Sequence, residues 1–189
     1  MSSHLNFLTK KRRSVRQYQD TPIDPEKLKD IVESGLRAPT SKNNRSTHFT
    51  IVEDKEMIAK LSQCRKYGSA FLAGAPVVIV ISSDSSKSAR PYSDCAAAVS
   101  FMMLAVTDND LGACWCHVED SPHPDGGTAE EYIRGLLGMP EEEKILCMLG
   151  IGEVAEFGML APRERMAEWE RVFIGHFGGG SAGQAEGEA

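Results

Sequence analysis

The order of apolar patterns along this chain predicts an α+β fold, and two observations carry that expectation. "APVVIVISS", residues 75–83, is a continuous β-branched apolar run, the pattern of a strand buried on both faces. Helical segments come first, and the strands that follow are separated by helices of unequal length, so a regular strand–helix–strand repetition is absent. The 189 residues suffice for one domain with a sizeable core. We place that domain at 1–177 and expect a flexible tail at 178–189, where "GGGSAGQAEGEA" has almost nothing to bury.

Each element has its own signal. The first helix is expected to begin within or just before a basic run at residues 10–16. The second opens on Asp24 as cap, with Pro25 at its first position and Glu26 complementing the helix dipole. Leu28, Ile31, Val32, Gly35 and Leu36 then share a face, and Pro39 ends the helix. A polar loop, "TSKNNRS", leads into the alternating, β-rich "THFTIVE", which reads as a strand. Asp54 caps a short helix through Leu61. Residues 93–108, "SDCAAAVSFMMLAVTD", read as a long, almost wholly buried helix with Gly112 as its breaker. "ACWCHV" reads as a strand. "TAEEYIRGLLG" is a helix with Thr128 and Glu131 forming a capping box. "EKILCMLGIGEV" is a strand running into a glycine-rich turn. "RERMAEWERVF" closes the fold as a helix, with Met166, Trp169, Val172 and Phe173 on one stripe.

Charge and composition narrow the partners. The chain is acidic, with net charge −6, which counts against nucleic acid because a binding face would need a wide basic surface. No apolar run approaches the roughly 20 residues that span a bilayer, so no membrane partner is expected. The opening "MSSHLNFLTKKRRS" lacks the apolar core of a secretory signal. Five scattered cysteines, an odd number, point to reduced thiols in a cytoplasm rather than a disulfide scaffold.

Against that acidic background the basic run "KKRRSVRQY" stands out. Arg12, Ser14 and Arg16 are spaced by two. In a helix their side chains would fan over a wide arc; in an extended turn they would share one side. A helix start there would add free backbone N–H groups, and arginines with a hydroxyl donor suit a phosphate. The alternative for the same residues is a solvated charge run or a targeting patch. A second stretch, "RAPTSKNNRSTHF", places Ser41, Asn43 and Asn44 in a polar loop. Asparagine can both donate to and accept from the edge of a planar ring, although Asn and Ser also favour plain loops. In "GIGEVAE", Gly150 and Gly152 would let backbone approach a ligand closely, without forming a dinucleotide-binding fingerprint. Arg163 and Arg165 repeat the R-x-R theme near the other end. Cys114, Cys116 and His117 lack a second well-spaced ligand pair, so no metal is assigned. No carboxylate pair or nucleophilic triad stands out, which leaves the hard chemistry to a bound cofactor if the protein is an enzyme.

Taken together and in order, these stretches resemble the nitroreductase family. The matching segments are "RRSVRQYQDTPID", "GLRAPTSKNN", "APVVIVI", "DCAAAVSFMMLA", "LGACW", "LLGMPEEEKILCMLGIGEVAE" and "PRERM", and they extend from about Lys11 to Phe173. The resemblance implies a central, mostly antiparallel sheet flanked by helices in an intertwined homodimer, with FMN bound between subunits. It assigns Arg12, Arg13, Ser14 and Arg16 to the FMN phosphate and ribityl chain, and Ser41 and Asn43 to the flavin ring. Gly150 and Gly152 would approach the cofactor, and Arg163 and Arg165 would reach the phosphate. The implied reaction passes a hydride from NADH or NADPH through flavin N5 to a nitroaromatic, a quinone or a similar flat acceptor. A flavin-binding or flavin-modifying protein of the same fold without reductase activity is the alternative. Many family members follow the S-x-N loop with Gln-Pro-Trp. This chain has Arg45, Ser46 and Thr47 there, which alters the pocket wall and makes Arg45 a candidate for the positive charge near the flavin pyrimidine edge. The chain also lacks the helical insertion that covers the site in larger members.

Overall fold

The computed structural model describes residues 3–155 and 167–179. Helices α1 (His4–Lys11) and α2 (Pro25–Leu36) precede strand β1 (Thr47–Val52), helix α3 (Lys55–Leu61) and strand β2 (Val77–Asp84). Helix α4 (Pro91–Asp108), strand β3 (Gly112–His117), helix α5 (Ala129–Leu137) and strand β4 (Glu143–Gly152) follow. The four strands form one sheet in the order β1-β2-β4-β3, and every pairing is antiparallel.

Both faces of the sheet are covered. On one, Ile79, Ile81, Cys147, Leu149 and Ile151 pack against Val99, Met102 and Val106 of α4 and Ile31 of α2. On the other, Val78, Val80, Ile145 and Met148 meet Ile58 and Leu61 of α3 and Ile133 of α5. The alternation along β2 is what lets one strand serve two cores, as its uninterrupted apolar run predicts. A register shift between Ile81 and Ser82 breaks the strict alternation in β4. Leu146 therefore joins Cys147 in the first core, and its carbonyl accepts from the Val118 and Glu119 N–H groups.

The local signals set the helix starts. Asp24 accepts from the Glu26 N–H, Asp54 from the Met57 N–H, and Thr128 and Glu131 form both halves of the capping box. Five expectations need correction. The first helix does not begin at the basic run: α1 starts at His4 and ends at Lys11, so the run opens in its last turn. α4 is not wholly buried: Ser93, Ser100 and Phe101 face solvent, Phe101 being 45% exposed. Gly112 does not break α4. The helix ends at Asp108, Asp110 turns the chain at φ 58°, and Gly112 opens β3. Gly150 and Gly152 lie inside β4 rather than in a turn beyond it. The expected closing helix is, among the described residues, a single 3-10 turn at Trp169–Arg171, and Trp169, Val172 and Phe173 are exposed. Arg163, Arg165, Met166 and most of the expected tail lie outside the described residues.

Candidate functional site

The basic run divides at Arg12. Up to Lys11 it is the last turn of α1; at Arg12 the backbone turns extended, with φ −54° and ψ 132°. The extended piece is then tied to the sheet. Ser14 pairs with Ala113 of β3, the Val15 N–H donates to the Ala113 carbonyl at 2.9 Å, and Tyr18 pairs with Val154 beyond β4. Extended geometry puts Arg12, Ser14 and Arg16 on one side and Val15 on the other. Val15 packs over Gly112, where a Cβ would come within 2.8 Å of its side chain.

Tyr18 is the pin of this arrangement. Its hydroxyl faces the Val15 and Gly150 carbonyls, and burial pushes its pKa well above the usual tyrosine value. The Arg12 and Arg16 guanidinium groups both act on the buried Cys114 thiol, pulling down a pKa that burial raises. Arg16 also sits 5.9 Å over the Phe71 ring. Arg13 turns back instead, donating to the Lys10 and Arg12 carbonyls at the end of α1. Gly150 and Gly152 make room for protein. A Cβ on Gly150 would lie 3.0 Å from Leu72 Cδ2, and one on Gly152 would lie 2.7 Å from Pro76 Cδ.

A cavity of about 640 Å³ opens between α1, the outer side of α4 and the segment 167–171. Lys10, Arg12, Leu104, Trp169 and Arg171 are among its lining residues. Arginines from both ends of the chain thus meet at one cavity, although the second is Arg171, which the spacing of the late R-x-R motif does not single out.

The polar loop lies elsewhere. Ser41–Asn43 forms a 3-10 turn at the start of α4, where the Ser41 N–H donates to Asp94 Oδ1 at 2.6 Å. Asn44 turns inward, bonding Asp94 through Nδ2 at 3.4 Å and the Ser46 N–H through Oδ1 at 3.1 Å. Asn43 points outward, and its Oδ1 meets Arg45 Nε at 3.5 Å. The basic segment, by contrast, is held near the end of α4: Lys11 pairs with Asp110 and His4 with Asp108. At 1.5 Å per residue, Asp94 and Asp108 stand roughly 20 Å apart along the helix. The two halves of the expected site therefore sit toward opposite ends of α4 within this chain.

Tyr18, Asp94 and Arg171 are the residues the sequence did not single out, and Asn44, which it placed in the polar loop, turns inward to Asp94 instead of outward. For Asp94 there was a signal: it is the one carboxylate in a helix start that is otherwise small and apolar, "SDCAAAV".

The profile of the nitroreductase family matches residues 9–66 and 61–153. A protein of Archaeoglobus fulgidus, provisionally described as an NADH dehydrogenase/NAD(P)H nitroreductase, is 32% identical over 145 residues, covering 75% of this chain and 80% of its own length. An FMN-dependent nitroreductase from Clostridium difficile superposes with TM-score 0.84 at 34% identity, over 90% of this chain and 98% of that one. A nitroreductase with bound FMN from Bacteroides fragilis gives TM-score 0.71 at 25% identity, over 93% and 100%. On matched length, identity and shared architecture, the chain belongs to the nitroreductase family.

Proposed function

We propose that this protein is an FMN-dependent NAD(P)H oxidoreductase that acts as a homodimer and reduces a flat acceptor such as a nitroaromatic or a quinone. The observation that carries this reading is that Arg12 and Arg16 both act on Cys114 of β3, while Ser14 between them is paired to Ala113 of the same strand. Two guanidinium forks flanking a hydroxyl match the oxygens of a phosphate monoester. The loop at the other end of α4 supplies a different donor set, an outward amide at Asn43 with exposed Lys42 and Arg45 beside it. That set suits the polar edge of a planar heterocycle that gains negative charge. FMN presents both chemistries, so the residues present fit it.

Within this reading, Arg12, Ser14 and Arg16 hold the phosphate ester, and Arg163 and Arg165 are assigned to the same group. Ser41 and Asn43 orient the ring, and Arg45 places positive charge near its pyrimidine edge. FMN, when bound, would supply the two-electron chemistry, taking a hydride from NADH or NADPH at N5 and passing it to the acceptor that replaces the nicotinamide. The chain's own work is orientation and electrostatics.

The placement of the two donor sets toward opposite ends of α4, whose Asp94 and Asp108 stand roughly 20 Å apart, supports the dimer, because a second copy with its α4 running the opposite way would bring the loop of one protomer to the basic segment of the other. Leu5, Phe7 and Phe101, exposed by 57%, 54% and 45%, give α1 and the outer side of α4 apolar surface to bury there. A cytoplasmic site of action is supported by the five cysteines, all free and buried. No helix among the described residues is long and apolar enough to cross a membrane.

The test is a spectrum. Purified protein mixed with FMN and freed of excess should keep a flavin absorbance band, and NADH or NADPH should bleach it without oxygen. Protein that retains no flavin band would end this reading; a band that neither nucleotide bleaches would end its reductase part.

A further inference from the structure

Asp94 is buried, 4% exposed, in the first turn of α4. No ion pair reaches it among the described residues. A buried carboxylate without a cation is retained only where hydrogen bonds replace its hydration. An acidic residue in a first helical turn ordinarily serves the N-terminus of its own helix. Here both oxygens are committed elsewhere. Oδ1 accepts from the Ser41 N–H, while Oδ2 accepts from Ser88 Oγ at 2.6 Å and from Asn44 Nδ2.

What these bonds hold is strained. Lys42, Asn43 and Arg45 all adopt positive φ, at 53°, 55° and 51°, and none is a glycine. Side-chain-bearing residues leave that region unless the surroundings fix them. Within the loop, Thr40 accepts from the Asn43 N–H through its carbonyl and from the Arg45 N–H through Oγ1, and the Ser41 carbonyl accepts from the Asn44 N–H; at its far end Ser46 is tied to β2 by its hydroxyl at Ser83 Oγ and its carbonyl at the Asp84 N–H. Asp94 is the group that joins the loop to the rigid start of α4 and, through Ser88, to the turn after β2.

We infer that Asp94 is a positioning residue: it clamps the 41–45 loop in its strained form so that Ser41 and Asn43 meet the flavin ring. The inference rests on the flavin reading above and deepens it, assigning ring recognition to a carboxylate that touches no part of the ligand. The ring and the phosphate are then gripped by independent sets of residues.

The experiment compares riboflavin, which has the ring without the phosphate, with FMN. Asp94→Ala should weaken both by a similar factor, about tenfold, because the Ser41 N–H, Ser88 Oγ and Asn44 Nδ2 all lose their acceptor. It should also shift the visible flavin spectrum at saturating ligand and speed amide exchange of residues 40–46 in the flavin-free protein. Asp94→Asn, which keeps one acceptor for the Ser41 N–H, should fall between it and the parent chain. Arg12→Ala should weaken FMN and leave riboflavin unchanged. Should Asp94→Ala fail to fold, Ser88→Ala removes one bond to the same carboxylate and should weaken both flavins about threefold. A parent chain that binds both flavins, with Asp94 and Ser88 variants that keep both affinities and the parent spectrum, would refute the clamp alone. Faster loop exchange with unchanged flavin binding would refute it too, by reducing Asp94 to a stability role. A parent chain that binds neither flavin would refute the flavin reading itself.

Discussion

At the scale of single residues, neighbouring arginines differ in where they are directed. Arg12 and Arg16 share one side of an extended segment, whereas Arg13 is turned onto the Lys10 and Arg12 carbonyls. We therefore expect Arg12→Ala and Arg16→Ala each to weaken FMN binding about 10- to 100-fold, the loss of a charge-assisted hydrogen bond of about 1.5–3 kcal/mol. Arg13→Ala should cost far less affinity and register instead in the stability of α1. Fluorescence titration with FMN separates these outcomes, and equal losses at all three positions would show that position along the segment does not matter. The spacing of Arg12, Ser14 and Arg16 was legible in the sequence because extended backbone has a period of two, and the choice between helix and extension decided which residues share a side. Asn44 and Asp94 were not legible as partners. They are 50 residues apart and meet only once α4 is docked on the sheet.

At the scale of elements, the well-punctuated pieces were legible and those defined by tertiary register were not. The caps at Asp24, Asp54 and Thr128 set helix starts by local hydrogen bonds, which sequence alone determines. The two glycines of β4 looked like a turn because glycine usually marks one. They are strand residues because Tyr18 and Pro76 must pack across them. At Gly152 a Cβ would meet Pro76 Cδ at 2.7 Å and Tyr18 Cβ at 3.0 Å, and a proline ring cannot swing aside. Gly152→Ala should therefore destabilise the protein by about 1–3 kcal/mol through overpacking. Gly150→Ala, whose nearest neighbour is the end of the Leu72 side chain, should cost less. Urea denaturation should show a lowered midpoint with an unchanged slope. A Gly152→Ala protein as stable as its parent would mean that this strand does not need the close approach. Periodicity near the C-terminus gives a face, but a short helix is marginal by itself, and among the described residues that stretch forms only the 3-10 turn at Trp169–Arg171.

At the scale of the whole molecule, the two donor sets lie at opposite ends of an 18-residue helix, and this geometry makes a strong demand. If each flavin is held by the basic segment of one protomer and the loop of the other, damage to the two halves must complement. Arg12→Ala lowers phosphate affinity, and Asn43→Ala lowers ring affinity. Each homodimer of a variant carries one lesion in both of its sites. Unfolded, mixed and refolded together, the two variants give heterodimers in which one site collects both lesions and the other has neither. With random pairing, half the dimers are mixed and half of their sites are intact, so about a quarter of all sites should regain parental FMN affinity. A titration of the mixture should then resolve a tight fraction that neither variant shows alone. A site built within one protomer gives no such fraction, because every site would keep the single lesion of its own chain. The result is insensitive to how much each substitution costs, provided both weaken binding enough to be separated from the parent. It thus tests the arrangement of the two ends of α4 independently of the energies assigned to any residue.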